Sequence, residues 1–154
     1  MDFEAHNAEV KTLWESFAER KPSRTPIVVG TTTRFFIENR ATNPEGIDFR
    51  AYTEDPDGMF DAQLRLAAWT KVNILQDDQL GLPDKWIVSV DFQNYWEAAW
   101  LGCPVEYLDG NVPDTRPAFT DCPERVMAAG VPDPFGGILA RGLEYHERFV
   151  ERAG

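Results

Sequence analysis

The sequence has few basic residues and no long hydrophobic run. Of its 154 residues, 15 are lysine or arginine and 26 are aspartate or glutamate, which gives a formal net charge of −11. A charge of this sign repels the phosphate backbone of nucleic acids and the anionic head groups of lipid membranes. We therefore expect neither nucleic acid nor a membrane surface as a partner.

Cysteine is also scarce, and nothing in the sequence is typical of export. The two cysteines, Cys103 and Cys122, form neither the framework of a disulfide-rich domain nor a zinc ribbon. The first residues are acidic where a secretory signal has a basic start, and no stretch approaches the roughly 18 apolar residues of a membrane-spanning helix. These features predict a cytoplasmic protein with free thiols.

The common catalytic motifs are missing as well. No Gly-x-Gly-x-x-Gly, P-loop, Gly-x-Ser-x-Gly or His-Glu-x-x-His occurs, which removes the most frequent nucleotide-binding, hydrolase and metalloprotease classes. Glu97, Cys103 and Glu106 mix hard and soft donors at a spacing that matches no compact metal site. We assign no metal ligand in this chain.

What is present suffices for a folded core, since 43% of the residues are hydrophobic and 12% are aromatic. Apolar residues at helical spacing predict a helix from about Ala8 to Arg20 with Asn7 as its cap. Asp55 as N-cap and Pro56 at the first helical position predict a second helix, which runs to about residue 75. We treat the whole chain as a single region.

Two short apolar runs, Pro26–Gly30 and Trp86–Val90, predict strands. Neither run alternates between apolar and polar residues, which is typical of parallel strands covered on both faces. The first run ends in a polar turn, Thr31–Arg34, and residues 39–54 are predicted to be a connection. The order of helix, strand, helix and strand predicts an α/β fold.

The second half of the chain predicts shorter elements. A short helix is expected within Tyr95–Leu101, and an extended segment at Val105–Leu108. Another short helix begins near Cys122, and Asp133–Pro134 opens a last helix that ends at about Glu151.

Polar residues follow both predicted strands. Because ligands bind at the carboxyl ends of parallel strands, Asp91 is a candidate catalytic residue, and Gln93, Asn94 and Tyr95 are candidates for substrate binding. Arg34 follows the first strand, where a guanidinium can bind a carboxylate or phosphate with two hydrogen bonds. The two strands together predict one rim that carries all five side chains.

These residues also have simpler interpretations. Asp91 is alternatively a cap for the short helix that follows, and Arg34 is alternatively half of a surface salt bridge. Trp96 and Trp100 lie four positions apart and are either core residues or the wall of an apolar pocket.

Taken together, several segments resemble the start of uroporphyrinogen-decarboxylase-like proteins, a (β/α)8-barrel superfamily that includes cobamide-dependent methyltransferases. The segments are Glu9–Val10–Lys11 through Trp14, Arg24–Val29 with Arg34–Phe35, Asp55–Pro56 with Met59 and Gln63, Gly81–Leu82–Pro83, Val90–Asn94 with Glu97–Pro104, and Val112–Thr115. The resemblance implies an α/β fold in which this chain is the N-terminal portion of a TIM barrel. Such a barrel needs at least ~200 residues, so it would be incomplete here.

The resemblance also implies roles for two residues. Arg34 resembles the second of two arginines that bind substrate carboxylates, and Asp91 resembles an aspartate that contacts the pyrrole nitrogens of a tetrapyrrole. Thr31–Thr33 stands where the first arginine would be, which departs from the decarboxylase pattern.

The implied function is that of a fragment or subunit of a decarboxylase or corrinoid-dependent methyltransferase that binds a tetrapyrrole, a corrinoid or a small anionic substrate. A corrinoid protein or the remaining barrel segment would be its partner, and zinc would enter only with later barrel segments. The alternative is a non-catalytic truncated barrel that acts as a binding or interaction module.

Overall fold

Helices carry most of the regular structure of the chain, for which the computed structural model describes residues 1–154. Seven helices and two strands follow in the order α1 (Phe3–Ala18), α2 (Thr33–Glu38), α3 (Phe49–Glu54), α4 (Pro56–Asn73), α5 (Trp96–Trp100), β1 (Val105–Glu106), β2 (Asp114–Thr115), α6 (Arg125–Ala129) and α7 (Gly137–Ala153). None of the seven helices combines the length and the apolar composition that a membrane-spanning helix needs.

The predicted α/β fold with parallel strands is wrong, and so is the N-terminal portion of a (β/α)8 TIM barrel. The sheet consists of β1 and β2 alone, and these two strands pair antiparallel. Neither Pro26–Gly30 nor Trp86–Val90 forms a strand. Neither run is buried on both faces, as the prediction required: Ile27 is 65% and Ile87 93% exposed, although Val88 and Val90 of the second run pack against the core.

Side-chain amides bind the backbone groups that a neighbouring strand would need. The N–H of Val29 donates to Oε1 of Gln76 at 2.8 Å. Gln63 accepts from the N–H of Ser89 at 3.0 Å and donates to its carbonyl at 2.6 Å. An amide side chain offers one acceptor and two donors and therefore replaces a peptide unit of a missing strand. The apolar run itself does not indicate whether a neighbouring strand or a side-chain amide will bond its backbone.

The two long helices near the start of the chain were predicted with different success. α4 begins as expected, because Asp55 accepts from the N–H of Asp57 and Pro56 is the first helical residue. α1 begins five residues earlier than predicted, since Asp2 caps it by accepting from Ala5 at 3.1 Å. Asn7 is therefore not a cap. Its amide instead bonds to the N–H and carbonyl of Leu80 at 2.8 and 2.9 Å.

Two short helices, α2 and α3, replace the predicted polar turn and part of the predicted connection. α3 has a clear start, because the side chain of Asp48 accepts from the N–H of Ala51 at 2.7 Å. Later in the chain, α5 and β1 lie inside their predicted ranges, and α6 follows Cys122 as expected. α7 starts at Gly137 rather than at Asp133–Pro134.

The core is one cluster of twelve buried side chains around α4. Aromatic contacts join it to α7: Phe60 meets Phe149 edge-on at 5.3 Å between ring centres, and Phe92 meets Tyr145 at 5.4 Å. Its members are Phe36, Ile37, Phe49, Tyr52, Met59, Phe60, Ala62, Leu66, Phe92, Tyr95, Tyr145 and Phe149. Because Phe36, Tyr52 and Phe92 belong to it, the core fixes α2, α3 and the segment before α5 relative to one another.

Candidate functional site

A cleft of about 580 Å³, here called the Arg34 cleft, opens between α2, α4 and residues 87–94. Three of its twelve lining residues are hydrophobic. The lining consists of Thr31, Thr32, Thr33, Arg34, Gln63, Leu66, Ala67, Thr70, Ile87, Asp91, Gln93 and Asn94. Its volume falls within the range of about 300–1,000 Å³ that is usual for small-molecule sites.

Asp91 is held in the cleft by four hydrogen bonds. Its Oδ2 accepts from the hydroxyl of Thr33 at 3.0 Å, the hydroxyl of Tyr52 at 2.9 Å and the side-chain amide of Gln93 at 2.7 Å. Its Oδ1 accepts from the backbone N–H of Gln93 at 2.9 Å. The carboxylate is therefore fixed in one orientation, with more acceptor capacity left on Oδ1 than on Oδ2.

Tyr52 is the donor that ties Asp91 to the core. Burial, followed by the negative charge of Asp91, raises the pKa of Tyr52 well above its ordinary value. The phenol therefore stays protonated and remains a donor. Gln63 donates to the hydroxyl oxygen of Tyr52 at 3.2 Å, so the oxygen is bonded as both donor and acceptor.

Gln93 connects Asp91 to Arg34. Its Nε2 donates to Asp91, and its Oε1 accepts from Nε of Arg34 at 3.3 Å. The backbone of Gln93 is left-handed, with φ at 57°, a conformation that non-glycine residues rarely adopt. Conformations of this kind are concentrated at functional sites, where surrounding contacts maintain them. Here the two side-chain bonds of Gln93 are such contacts.

Arg34 reaches the same cleft but does not touch Asp91. Its guanidinium donates to Gln93 and, through Nη2, to Oδ1 of Asn94 at 3.1 Å. Both partners are neutral amides, so the alternative of a surface salt bridge for Arg34 is wrong. A guanidinium carries five N–H groups. Those not used by the two amides remain available to an anion in the cleft.

Tyr95 is the one predicted site residue that the structure does not bring to the cleft. It is 2% exposed, and its hydroxyl lies 3.4 Å from that of Tyr107 in the core. Burial, followed by the hydrogen bond to Tyr107, raises the pKa of Tyr95.

The alternative role of Asp91 as a helix cap is also wrong, because the N-cap of α5 is Tyr95.

Sequence reasoning missed two residues that bond Asp91, namely Tyr52 and Thr33, and a third, Gln63, that bonds Tyr52. Tyr52 lay inside the predicted connection, and Thr33 lay inside the predicted polar turn. Gln63, half-buried on α4, was noted only as part of a resemblance. No spacing rule joins these three to Asp91, because they meet only in the folded chain.

A second cavity, here called the α7 pocket, lies against α7 and has a volume of about 440 Å³. Asp91 and Gln93 line both cavities. Trp96 lines the α7 pocket, which is one of the two alternatives that the sequence left open for it. Trp100 does not line it; its indole N–H donates to the carbonyl of Asp133 at 2.8 Å.

The residues of this chain do not assemble a metal site. No three His, Cys, Asp or Glu side chains come together as possible ligands, and Cys103 and Cys122 are unpaired. The zinc that the resemblance implies for the methyltransferases has no ligand set among these residues.

Comparison of the chain with models of protein families, with characterised proteins and with solved structures gives no match. Function is therefore inferred from the geometry of the cleft and from the resemblance described above.

Proposed function

We propose that the Arg34 cleft binds a small anionic ligand, with the guanidinium of Arg34 as the group that recognises the anion. The observation that carries this proposal is that the guanidinium of Arg34 donates hydrogen bonds to two neutral side-chain amides, those of Gln93 and Asn94. They fix the guanidinium without neutralising it. In a chain with a net charge of −11, a positioned arginine free of any carboxylate is a specific feature.

Asp91 complements Arg34 from the other side of Gln93. Because Oδ1 of Asp91 accepts a single hydrogen bond, it has capacity for a donor on the ligand. The hydroxyls of Thr31 and Thr70, which lie 2.8 Å apart, add further polar groups to the lining. A ligand with one anionic group and an N–H or O–H donor fits this set.

The resemblance to uroporphyrinogen-decarboxylase-like proteins supports a more specific proposal, that the chain is a fragment or subunit of a decarboxylase or corrinoid-dependent methyltransferase. In that role Arg34 neutralises a substrate carboxylate and Asp91 orients the substrate. Among tetrapyrrole, corrinoid and small anionic substrates, the polar lining favours the last, because a macrocycle buries wide faces that a mostly polar cleft does not match. A corrinoid protein is the partner that the methyltransferase role would require.

A non-catalytic binding module is the second candidate, and one observation favours it. Asp91, the only carboxylate in the lining, is committed to four donors from the protein itself. These donors hold the carboxylate in one orientation, and Oδ1 keeps capacity to accept a hydrogen bond from a ligand. A carboxylate fixed in this way, beside a positioned Arg34, is sufficient for binding without a reaction.

A cytoplasmic location belongs to the same proposal. The two unpaired thiols, Cys103 and Cys122, support it because free cysteines are typical of a reducing compartment.

Isothermal titration calorimetry with succinate and with inorganic phosphate tests anion binding. We expect saturable binding to the wild type and at least a tenfold loss for Arg34→Gln, since a charge-assisted hydrogen bond contributes about 1.5–3 kcal/mol. Arg40→Gln is the matched control, because Arg40 is exposed and does not line the cleft. Equal affinity of wild type and Arg34→Gln would remove Arg34 from the site.

Titration with cobalamin and with uroporphyrin separates the ligand classes. Tighter binding of either macrocycle than of succinate, lost in Arg34→Gln, favours the enzyme assignment. Binding of succinate alone favours the small anionic ligand.

A further inference from the structure

The Arg34 cleft and the α7 pocket adjoin one another and differ in character. Three of twelve lining residues are hydrophobic in the cleft, against seven of eleven in the pocket. Asp91 and Gln93 belong to both linings, so the chain segment that contains them borders both cavities. A polar cavity and an apolar cavity therefore meet at the residues that position Arg34.

The apolar wall of the α7 pocket remains partly open to solvent. Trp96, Phe135 and Leu143 line it with exposed fractions of 41%, 70% and 49%. Large apolar side chains grouped around a concave surface favour an apolar ligand group, because covering them removes apolar area from water. The pocket contains no charged group apart from Asp91 at its boundary.

We propose that a single amphipathic ligand occupies both cavities: a monocarboxylate with an alkyl body, whose carboxylate binds Arg34 and whose alkyl chain lies in the α7 pocket. This inference rests on the proposed function, since it adds an apolar body to the anion already assigned to Arg34. Arg34 is the only cation and Asp91 the only anion in the two linings, so a single guanidinium is present to bind a single carboxylate on the ligand.

Gly142 has no side chain and so leaves part of the α7 pocket volume free. It lies in α7 and lines the pocket, and a Cβ built on it would meet only Phe92, at 3.6 Å. A methyl group is therefore tolerated there without displacement, whereas a larger side chain must extend beyond Phe92 into the pocket. Alanine and leucine are both better helix formers than glycine, so neither substitution weakens α7.

The test is isothermal titration calorimetry with butyrate, octanoate and octanol on the full chain. Octanoate has four more methylenes than butyrate, and each fully buried methylene is worth about fourfold in affinity. Because the pocket is partly open, we expect octanoate to bind at least tenfold more tightly than butyrate to the wild type. Octanol should bind more weakly than octanoate, since it carries no negative charge.

Two variants separate the cavities. Gly142→Leu should abolish the advantage of octanoate while leaving butyrate binding unchanged, and Gly142→Ala should retain most of that advantage. Leu143→Asn, at a half-exposed position where folding is little affected, should reduce the advantage as well. Arg34→Gln should weaken both carboxylates at least tenfold and leave octanol unchanged.

The outcomes that overturn the inference differ from those that overturn the proposed function. Equal affinities for butyrate and octanoate, both lost in Arg34→Gln, leave anion binding in place and remove the alkyl site. Octanoate binding that survives Arg34→Gln, or octanol binding as tight as octanoate binding, removes the anion site. An octanoate advantage unaffected by Gly142→Leu and Leu143→Asn places the alkyl chain elsewhere.

Discussion

The hydroxyl of Tyr52 donates to Oδ2 of Asp91 across 2.9 Å, although the two residues are 39 positions apart. The Tyr52 side chain is fully buried in the core, whereas Asp91 lines both cavities. This bond is therefore a direct connection between core packing and site geometry. The orientation of Asp91, and through Gln93 that of Arg34, depends on α3 being packed in place.

Tyr52→Phe removes that donor without removing the ring. We expect a loss of about 1.5–3 kcal/mol in the free energy of unfolding, the range for a hydrogen bond to a charged group. Urea denaturation measures it. Tyr145→Phe is the matched control, because its hydroxyl donates to the neutral carbonyl of Thr53 and its loss should cost about 0.5–1.5 kcal/mol. A larger loss for Tyr145→Phe would contradict the role given to the Tyr52–Asp91 bond.

Gln63→Leu removes the amide that bonds both backbone groups of Ser89. Because Ser89 is exposed, water replaces the lost partners, and we expect a modest destabilisation of about 0.5–1.5 kcal/mol. The sharper readout is amide hydrogen exchange of Ser89 by NMR, which should accelerate at least tenfold. Gln79→Leu serves as control, since Gln79 is exposed and its side chain bonds to nothing in the structure. Unchanged exchange at Ser89 would show that Gln63 does not replace a strand.

Asp77 makes stability depend on pH in the acid range. Arg24 donates to both of its carboxylate oxygens, and this pairing, followed by the bond from the Ile27 N–H, lowers the pKa of Asp77 from 3.8 to about 2. A carboxylate with a lowered pKa stabilises the fold above its unfolded pKa and ceases to do so as pH falls through its folded pKa.

We therefore expect the melting temperature to fall between about pH 4 and pH 2, with a shallower fall in Asp77→Asn. Thermal unfolding followed by circular dichroism at several pH values measures the slope. Asp84→Asn, at an exposed residue outside any ion pair, should retain the wild-type slope. Identical slopes for Asp77→Asn and wild type would exclude Asp77 as the source.

Gly81→Ala should destabilise the loop that follows α4. Gly81 has φ at +87°, and a Cβ there would lie 3.2 Å from the ring of Phe3 at the start of α1. Strain and crowding together should cost about 1–3 kcal/mol. Gly30→Ala is the control, because nothing lies within 4 Å of a Cβ at Gly30 and its φ is not left-handed. Equal stabilities of the two variants in urea denaturation would contradict this.

The sequence predicted helices best where the signals were local. Asp55 and Pro56 mark the start of α4 with side chains adjacent to the groups that they satisfy, and the prediction is confirmed there. Pro26–Gly30 and Trp86–Val90 were predicted as strands from hydrophobicity alone, and that was wrong. Whether an apolar run becomes a strand depends on which groups bond its backbone, and Gln63 and Gln76 are remote in the sequence.

Part of the candidate site was nevertheless predictable. Arg34, Gln93 and Asn94 meet in the structure around the segment that contains Asp91, because polar residues after two apolar runs are brought together even though the runs are not strands. Tyr95 was predicted beside them but is buried in the core, two positions after the left-handed backbone of Gln93. No local sequence rule predicts a positive φ at a glutamine.

The most direct test of the central claim is an NMR titration that follows the Nε–H signal of Arg34, assigned by its disappearance in Arg34→Gln. We predict that succinate shifts this signal saturably and leaves that of Arg40 in place, because only Arg34 lies in the cleft. If the Arg34 signal stays fixed while succinate shifts resonances elsewhere, Arg34 does not bind the anion and the proposed site is wrong.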